Sequence, residues 1–409
     1  MKRDLIIVGA GPAGASTGLF LTALDPSLAD RIEVVDLARF PREKICAGAV
    51  GARAEKLLAT IGVQVDVPSA AVDGVSLKFA KGSAVSKVGG IGRVVRRVEF
   101  DDALREALVA RGVTVTQGVK VTGLRRDGAK LIVESTGGEE REATMVIGAD
   151  GVRSAVRQAI GVEKGTLTAQ AVEVDTDPTP KDLPRDLLHF DFCEAGVGYG
   201  WDFPTVVDGR EMVCRGQYQL DWENEVSVDV SQRLEEHLVD SGVAREGKRF
   251  KRFAVRGLEL HRPMAAAGVL LVGEAAGVDP LLGEGIAQSI ASGALAAEYL
   301  VEKLRRGALD FGDWRSVFAR SPTGLDTLAR ISLVSVFRNP ISRRFLEHMT
   351  LATPESLDVV LAVSGGKPVP TMSAAVAGLK AAVELARMPL RESRGWLGVA
   401  QARLREWVS

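Results

Sequence analysis

The stretch DLIIVGAGPAGASTGLFLTAL, residues 4–24, carries the strongest structural signal in this chain. It begins with a short apolar run that closes at Gly9, which is typical of a parallel strand buried on both faces. The small residues that follow predict a helix, and a second apolar run, RIEVVD at residues 31–36, predicts another strand. The stretch therefore predicts a strand–helix–strand unit with a right-handed crossover.

The turn inside this stretch has the spacing G-x-G-x-x-G, formed by Gly9, Gly11 and Gly14. The first glycine permits a tight turn, the second lets the backbone approach a pyrophosphate, and the third allows the helix to pack closely on the strand. Asp36 ends the second strand, where an acidic side chain binds ribose hydroxyls. The pattern predicts a dinucleotide whose pyrophosphate lies at the helix N-terminus, with a turn that serves packing alone as the alternative.

The composition limits the class of protein. With 409 residues we expect two or three structural units, and 46% hydrophobic with 26% charged residues indicates a folded globular chain. A formal net charge of -1 gives no sign of a nucleic-acid partner. Residues 5–24 lack charge, but their glycines favour a buried strand and turn over a membrane span. Three widely spaced cysteines, Cys46, Cys193 and Cys214, fit no disulfide framework and no metal site, so we expect a cytoplasmic protein without a metal.

Three further segments narrow the identity of the dinucleotide. MVIGADGVRSAVR, residues 145–157, contains an Asp-Gly pair. LLVGEAAGVDPLLGEGIAQSIASG, residues 270–293, contains a Gly-Glu pair and a G-E-G-I turn, and VVRRVEFDDALREAL, residues 94–108, carries an arginine ahead of Phe-Asp. Together with the glycine turn, this ordered set resembles the flavoprotein hydroxylase superfamily, whose members bind FAD.

The resemblance implies a role for individual residues. Glu274 would approach the ribityl chain or the pyrophosphate, although the superfamily usually has Asp there, so we expect altered ribityl contacts. Gly285 and Ile286 would give backbone contacts near the isoalloxazine ring, while Arg97 and the backbone of Val121 would contact the adenosine half. The other residues expected to bind FAD are those of the motifs themselves, namely Gly9, Gly11, Ala13, Gly14, Asp36, Asp150 and Gly151.

Two stretches resemble the geranylgeranyl reductase family, namely FPREKICAG at residues 40–48 and GYGWDFP at residues 198–204. That family has a P-R-x-K-x-C-G segment after its second strand and a Y-x-W-x-F-P segment in its substrate domain. The likeness covers about the first three hundred residues. It implies that Cys46 and Ala47 lie beside the flavin ring, with Ala47 in place of the usual glycine. The residues implied to line the facing substrate cavity are Tyr199, Trp201, Phe203 and Pro204.

The aromatic residues of GYGWDFP occupy every second position of a predicted strand. Residues 199, 201 and 203 share one face of a strand and form a large apolar surface with a polar hydroxyl at Tyr199. Such a surface suits an isoprenoid chain held against a flavin, although the same stripe is also typical of an ordinary core. Tyr199 is our candidate proton donor. Cys46 is a candidate catalytic group, or else a small buried hydrophobic residue.

Other polar residues are weaker candidates. Arg42 and Lys44 suit binding of a diphosphate or carboxylate head group, or else a solvated loop. His189 and His261 are candidates for acid–base chemistry by residue type only. For a lipid substrate we also expect contact with a membrane surface through PISRRFLEHMTLA, residues 340–352, where Phe345 and Leu351 would insert.

These features predict an FAD-dependent oxidoreductase that reduces carbon–carbon double bonds of an isoprenoid or polyprenyl lipid by hydride transfer from reduced flavin. NAD(P)H or another reductant would supply the electrons, and no second G-x-G-x-x-G turn identifies the donor. The alternatives are an FAD-dependent monooxygenase that hydroxylates or epoxidises a hydrophobic molecule, and a flavin-dependent halogenase, whose W-x-W-x-I-P segment is similar to Y-x-W-x-F-P. A non-enzymatic FAD-binding scaffold or lipid carrier is the remaining class.

The expected fold is α/β. A Rossmann-type FAD-binding domain would comprise residues 1–70, 93–165 and 262–307. A substrate-binding domain, inserted as residues 71–92 and 166–261, would form an antiparallel sheet, because residues 167–258 alternate over longer strands with one helix near residues 228–241. Within it, GVSLKFAKGSAVSKVGG at residues 74–90 predicts a hairpin. Residues 308–409 would form a C-terminal helical region.

Overall fold

The computed structural model describes residues 3–162, 165, 167–193, 197–222, 229–244, 249–364 and 380. These residues form two eight-stranded sheets and a set of helices, which confirms the predicted α/β class with a second sheet and C-terminal helices. The strands, in chain order, are β1 (Arg3–Val8), β2 (Ile32–Asp36), β3 (Ala49–Gly51), β4 (Ser69–Phe79), β5 (Gly82–Val95), β6 (Thr114–Gln117), β7 (Val121–Asp127), β8 (Lys130–Ser135), β9 (Glu140–Gly148), β10 (Leu167–Thr176), β11 (Leu187–Asp191), β12 (Gly198–Val207), β13 (Arg210–Trp222), β14 (Lys251–Arg256), β15 (Ala265–Ala266) and β16 (Val269–Leu271).

The helices lie between and after these strands. In chain order they are α1 (Pro12–Leu24), α2 (Ala52–Ala59), α3 (Arg97–Ala110), α4 (Ala155–Ala159), α5 (Val230–Asp240), α6 (Ile286–Arg305), α7 (Trp314–Arg320), α8 (Pro322–Arg338), α9 (Pro340–Ala352) and α10 (Glu355–Ser364). Among the described residues, no helix has the length and apolar character needed to cross a membrane.

The first sheet is the nucleotide-binding one. Its strands run in the order β15-β16-β9-β1-β2-β6, and the five from β16 to β6 are parallel to their neighbours. Strands β7 and β8 pair with each other, and β8 also pairs with β9 in the antiparallel direction. Helix α1 connects β1 to β2, as predicted, and is buried from Pro12 to Thr22. A helix enclosed on all sides tolerates no charge, which explains its uniformly apolar and small-residue sequence.

The glycine turn is closed by backbone packing. Gly9 has a φ of 104°, a backbone conformation that favours glycine, and a Cβ there would lie 2.4 Å from the carbonyl oxygen of Ala149. Gly14 allows the first turn of α1 to press against the end of β1, because a Cβ at this position would lie 1.8 Å from the Gly9 carbonyl oxygen. Gly14 is therefore required by the strand–turn–helix packing itself, and Gly9 by its positive φ and by the approach of the segment that follows β9.

The second sheet has the order β14-β10-β13-β12-β11-β4-β5-β3. All its neighbouring strands are antiparallel except β11 and β4, which are parallel. The predicted hairpin at residues 74–90 lies in β4 and β5, and the helix predicted near residues 228–241 is α5; residue 228 is outside the described part. The predicted boundaries at residues 71 and 92 fall inside strands, because β4 begins at Ser69 and β5 ends at Val95. The division of the chain by residue number stays a prediction.

The C-terminal helices cover one face of the second sheet. Val334 and Phe337 of α8, Leu351 of α9 and Leu361 of α10 pack into the same apolar cluster as the aromatic residues of β12. A helical region is thus present from residue 314 to residue 364, while residues 365–379 and 381–409 lie outside the described part. Leu351 is half-buried against the hairpin at Gly82, and the prediction that it inserts into a membrane with Phe345 stays a prediction.

We predict that Gly14→Ala destabilises the protein by about 2 kcal/mol or more, because the added methyl group overlaps the Gly9 carbonyl and the turn is fixed by the sheet. The measurement is the free energy of unfolding in urea. The control is Gly128→Ala at the tip of the β7–β8 hairpin, where φ is 58° and a Cβ meets nothing within 4 Å. This control variant measures the free-energy cost of replacing a glycine at positive φ where the added methyl group overlaps no atom, about 1 kcal/mol. Equal losses for the two variants would contradict the close-packing explanation.

Candidate active site

The corner of the first sheet at the end of β2 holds the glycine turn in place. The carboxylate of Asp36 accepts a hydrogen bond from the backbone N–H of Ala10 at 2.7 Å and another from that of Ala38 at 2.7 Å. The backbone N–H of Val119 donates to the Asp36 carbonyl oxygen at 2.9 Å, which brings the start of β7 at Val121 to the same corner. The start of β7 therefore lies near the end of β2, and the expected contacts of Asp36 and Val121 with the nucleotide stay predictions.

Arg42 lies over the glycine turn. Its Nη2 would be 3.4 Å from a Cβ at Gly11 and donates to Asp101 Oδ2 at 2.8 Å. Its guanidinium carbon lies 4.9 Å from the centre of the Phe40 ring. The second nitrogen, Nη1, is buried and has no hydrogen-bond partner in the described part of the chain. A guanidinium group with a buried, unpaired nitrogen beside the N-terminus of α1 suits a diphosphate, whereas the sequence alone suggested Arg42 only for a substrate head group.

Arg97 lies deeper, at the start of α3. It makes two hydrogen bonds to the Asp101 carboxylate, at 2.6 Å and 2.7 Å, and is 9% exposed. Its guanidinium also interacts with the thiol of Cys46. The structure therefore groups Arg97 with the residue expected at the flavin ring, and the expected contact of Arg97 with the adenosine half stays a prediction.

The Asp-Gly and Gly-Glu turns meet at the C-terminal ends of β9 and β16. Asp150 Oδ2 accepts from the backbone N–H of Ala155 at 2.7 Å, while its Oδ1 is buried without a partner among the described residues. Burial raises the pKa of Asp150. A Cβ at Gly151 would lie 3.7 Å from Glu274 Oε2, and Lys44 Nζ is 3.8 Å from that same oxygen. Lys44 therefore forms an ion pair with Glu274.

Four glycines border these groups without tight packing at the Cβ position. A Cβ added at any of them would come no closer than 3.4 Å to any described heavy atom; they are Gly11, Gly51, Gly151 and Gly285. Three of them, Gly11, Gly51 and Gly285, directly precede α1, α2 and α6. Two buried atoms that lack partners in the described part of the chain, Arg42 Nη1 and Asp150 Oδ1, lie on residues of the same region. Helix N-termini, a guanidinium group with an unpaired nitrogen and side-chain-free backbone are what a diphosphate-containing nucleotide requires, so these residues fit FAD.

Cys46 stands between the two sheets. Its backbone N–H donates to Glu173 Oε1 of β10 at 3.0 Å, and its Sγ accepts from the backbone N–H of Gly48 at 3.4 Å. Cys46 packs against the core of the first sheet and Ala47 against the core of the second. Burial raises the pKa of the Cys46 thiol, which keeps it protonated and makes it a poor nucleophile. A catalytic role for Cys46 stays a prediction.

The predicted aromatic face of β12 is present. Tyr199, Trp201 and Phe203 are 7%, 3% and 5% exposed and share one side of the strand. Their rings pack with further aromatic residues of neighbouring strands; the centres of Tyr199 and Tyr218 are 5.1 Å apart, as are those of Phe190 and Phe203. Strand alternation puts position 204 on the opposite side of β12, away from the aromatic stripe. We call the face formed by residues 199, 201, 203 and 218 the aromatic face.

Two hydroxyl groups of the aromatic face bind the loop before α6. The Tyr199 hydroxyl donates to the carbonyl oxygen of Leu282, and the Tyr218 hydroxyl donates to that of Pro280 at 2.8 Å. Burial raises the pKa of Tyr199 well above its usual value. This geometry gives Tyr199 a role in holding the loop that leads to Gly285, and its expected role as the proton donor to substrate stays a prediction.

A buried ion cluster holds the same loop from the other side. Asp279, which is fully buried, accepts from the Leu281 N–H at 2.7 Å and pairs with Arg330 Nη1 at 2.9 Å. The same nitrogen lies 2.7 Å from Glu284 Oε2. Burial raises the pKa of both carboxyl groups, and Arg330 opposes that shift. Arg330 belongs to α8, 51 residues beyond Asp279, and no motif in the sequence identified it.

The histidines considered from the sequence lie elsewhere. His189 Nδ1 is 3.2 Å from Ser76 Oγ, and burial lowers the pKa of its ring. His189 pairs in register with Asp202, whose position on β12 faces away from the aromatic face. His261 is 73% exposed, with its Nε2 4.0 Å from Glu259. In the described part of the chain, no group of three or more His, Cys, Asp or Glu residues could hold a metal ion.

Comparison with known proteins agrees with this geometry. Residues 2–310 match the family model described as FAD binding domain. The chain is 27% identical to the menaquinone reductase of Mycobacterium tuberculosis over 86% of this chain and 90% of that protein. It is 30% identical to the geranylgeranyl diphosphate reductase of Rhodobacter capsulatus over 75% of this chain and 77% of that protein.

A solved structure shares the fold over almost its whole length. The geranylgeranyl bacteriochlorophyll reductase-like protein of Thermoplasma acidophilum superposes with a TM-score of 0.73 at 17% identity, covering 97% of this chain and 99% of that one. A flavin-dependent brominase superposes with a TM-score of 0.69 at 18% identity, covering 94% and 98%. At such identities the likeness defines the fold, and the chemistry has to be argued from the site.

We predict that Arg330→Leu lowers the free energy of unfolding by about 3 kcal/mol at neutral pH, because it leaves two buried carboxylates without their cation. Without Arg330, the folded-state pKa values of Asp279 and Glu284 rise further, so the folded variant takes up protons as the pH falls. The loss should therefore be smaller in acid than at pH 7. Urea unfolding at several pH values measures it, and Arg344→Leu, an exposed arginine of α9, is the control. A loss that does not vary with pH would contradict the ion cluster.

We predict that Arg42→Met weakens FAD binding by about 10- to 100-fold, because a hydrogen bond to a charged group contributes about 1.5–3 kcal/mol. Titration of the apoprotein with FAD, followed by flavin fluorescence, measures the change in Kd. Arg53→Met, which alters an exposed arginine of α2, serves as the matched control. If the two variants bind FAD equally well, Arg42 does not contact the diphosphate.

Proposed function

Because this chain belongs to the geranylgeranyl reductase-like family of FAD-binding oxidoreductases, we propose that it reduces carbon–carbon double bonds of an isoprenoid lipid. Its two relatives named above are both reductases by name, and one name specifies geranylgeranyl diphosphate. We also propose that the nucleotide-binding candidates and the aromatic face act together, with FAD along the glycine turn and the lipid near the aromatic face.

The observation that carries this proposal is the direct link between the aromatic face and the loop before α6. The hydroxyls of Tyr199 and Tyr218 bind the carbonyl groups of Leu282 and Pro280. That loop leads into Gly285, which directly precedes α6, and the isoalloxazine ring is expected there. An apolar surface fixed to the loop that borders the flavin suits a substrate made of isoprene units, which offers no polar group along its chain.

Each part of the chain has a distinct task in this proposal. Arg42 and the N-terminus of α1 would hold the diphosphate, and Glu274 with Lys44 would border the ribityl chain. The aromatic face excludes water and orients the alkene. FAD supplies the hydride when it is bound and reduced. NAD(P)H is the proposed source of the electrons, and the second hydrogen arrives as a proton from the protein.

The hydroxylase and halogenase alternatives have less support. They rest on likeness to solved structures that share 14–18% of their sequence with this chain, which is a likeness of fold. An apolar face of aromatic rings is compatible with either chemistry. Reductase chemistry is favoured because the two relatives named above, with 27% and 30% identity over most of the chain, are reductases by name.

We predict that the reduced protein transfers its electrons to a geranylgeranyl chain without oxygen. The holoprotein is reduced with dithionite, mixed anaerobically with geranylgeranyl diphosphate, and followed through the return of oxidised-flavin absorbance. Mass spectrometry should find a lipid product with two added hydrogens per double bond reduced. The matched control is the fully saturated diphosphate, which offers no acceptor and should leave the flavin reduced. Replacement of dithionite by NADH or NADPH tests the electron donor.

Two results would contradict the reductase. The flavin could stay reduced with the unsaturated lipid, or an oxygen or halogen atom could appear in a product only after air is admitted. The first result removes the proposed substrate class, and the second favours a monooxygenase or a halogenase.

A further inference from the structure

Glu173 of β10 is a buried carboxylate on the same side of the second sheet as the aromatic face. In the strand register, Trp201 of β12 is opposite Gly216 of β13, and Gly216 is opposite Glu173 of β10. Residues directly opposite one another in a sheet project to the same side. The three positions therefore form one row, with the aromatic residue at one end, the carboxylate at the other and a glycine between them.

The glycine in this row lets the aromatic ring reach toward the carboxylate. A Cβ at Gly216 would lie 2.1–2.5 Å from three atoms of the Trp201 indole, so the ring lies directly across β13. The Nε1 of Trp201 and the Oε2 of Glu173 are both buried and both lack a hydrogen-bond partner in the described ranges. Glu173 is 4% exposed. An unpaired buried carboxylate oxygen is costly, and its presence needs an explanation.

The other carboxylate oxygen connects Glu173 to the segment that carries Cys46. Glu173 Oε1 accepts the hydrogen bond from the backbone N–H of Cys46 at 3.0 Å. Cys46 is the residue expected beside the flavin ring, and its thiol lies next to the guanidinium of Arg97. Glu173 is thus fixed by one oxygen at the boundary of the two sheets, while Oε2 is left free to carry a proton.

The charges around Glu173 favour its protonated form. Burial and the neighbouring carboxylate of Asp175 raise the pKa of Glu173 to about 7, against the weaker opposing effects of Lys251 and Arg96. The thiols of Cys46 and Cys214 also face this group, and each is itself kept protonated by burial. The carboxyl group therefore holds a proton in the pH range where an ordinary glutamate has lost it, which suits a general acid.

A route to solvent begins beside Glu173. Asp175 follows it by two positions on β10, and Lys251 is directly opposite Glu173 on β14. Lys251 Nζ lies 3.9 Å from Asp175 Oδ2 and 3.7 Å from Glu43 Oε2. The side chains of Lys251 and Glu43 are 39% and 71% exposed. A proton delivered from Glu173 can be replaced from this side.

We propose that Glu173 is the general acid of this site and donates its Oε2 proton to the substrate double bond. This inference rests on the proposed function. Reduction of one double bond takes a hydride, with its two electrons, from the reduced FAD and a proton from Glu173. The O–H bond at Oε2 breaks, a C–H bond forms at the second alkene carbon, and Glu173 remains as a carboxylate. Water supplies the replacement proton through Asp175 and Lys251.

The test compares Glu173→Gln with the wild-type holoprotein. The amide oxygen of glutamine can still accept from the Cys46 N–H, so the variant should fold and bind FAD, which its flavin content verifies. Glu173→Asp is the conservative variant and should restore part of the rate. The control is Glu33→Gln, which changes a glutamate that is 8% exposed on β2 and bound to Thr116.

The first readout is independent of any substrate. Infrared spectra of the holoprotein from pH 5.5 to pH 8.5 should contain a carboxylic-acid C=O band that shifts in D2O and disappears as the pH rises through about 7. The band should be present in Glu33→Gln and absent in Glu173→Gln. If the two variants and the wild type have the same band, Glu173 is not the protonated group and the proposal is wrong.

The second readout separates proton delivery from electron transfer. Anaerobic reoxidation of the reduced holoprotein by geranylgeranyl diphosphate should slow by about 100-fold or more in Glu173→Gln. Reoxidation by ferricyanide, which forms no C–H bond, should be unchanged. The wild-type rate with the lipid should fall as the pH rises through about 7, whereas the residual rate of Glu173→Gln should not vary with pH.

The outcomes distinguish the two proposals. If the wild type reduces the lipid and Glu173→Gln does so at the same rate, the general-acid proposal is overturned and the proposed function stands. If Glu173→Gln slows flavin reoxidation by lipid and by ferricyanide equally, Glu173 has a structural role and the general-acid proposal is again overturned. If the wild type does not reduce the lipid at all, the proposed function fails, and the acid role that depends on it fails with it.

Discussion

The loop between β16 and α6 depends on hydrogen bonds that only other parts of the chain can supply. Its carbonyl groups at Pro280 and Leu282 accept from two tyrosine hydroxyls of the second sheet. Its buried Asp279 is neutralised by Arg330 of the C-terminal helices. A loop with buried polar backbone is stable only when every such group finds a partner. The two sheets and the C-terminal helices are therefore joined at the loop that borders the candidate flavin position.

This arrangement explains why the aromatic residues of β12 are more than core. The rings of the aromatic face bury a large apolar area, while the hydroxyl groups of Tyr199 and Tyr218 bind the loop before Gly285. A change on the aromatic face would alter the loop, and a change in the loop would alter the face. The aromatic face and the loop that leads to Gly285 are thereby joined directly by hydrogen bonds.

The surroundings of the glycine turn and of Glu173 also differ in the charge that they favour. The glycine turn is bordered by Arg42 and the N-terminus of α1, which favour an anion. Behind Cys46, by contrast, burial and Asp175 keep Glu173 protonated. The segment from Arg42 to Ala47 contacts both environments, because Arg42 lies over the glycine turn and the Cys46 N–H donates to Glu173. That short segment therefore joins a region that stabilises negative charge to one that resists it, which suits chemistry that moves a hydride and a proton to different atoms.

The sequence by itself determined the nucleotide turn, because Gly14 and Asp36 contact backbone groups that the local strand–helix–strand unit already brings close, and Gly9 adopts the positive φ of that turn. The close approach of Ala149 to Gly9 was decided by the tertiary structure. It also determined that residues 199, 201 and 203 share a face, since alternation along a strand is a local property. Arg330 and Glu173 were decided only by the tertiary structure. Arg330 reaches Asp279 across 51 residues, and Glu173 reaches Cys46 across 127. Alternation along β10 indicates that Glu173 shares the inward face of the strand with alanines. The role of its carboxylate, however, depends on which segment packs against that face. Strand register and helix packing supply that information, because burial and pairing are set by contacts between residues far apart in the chain.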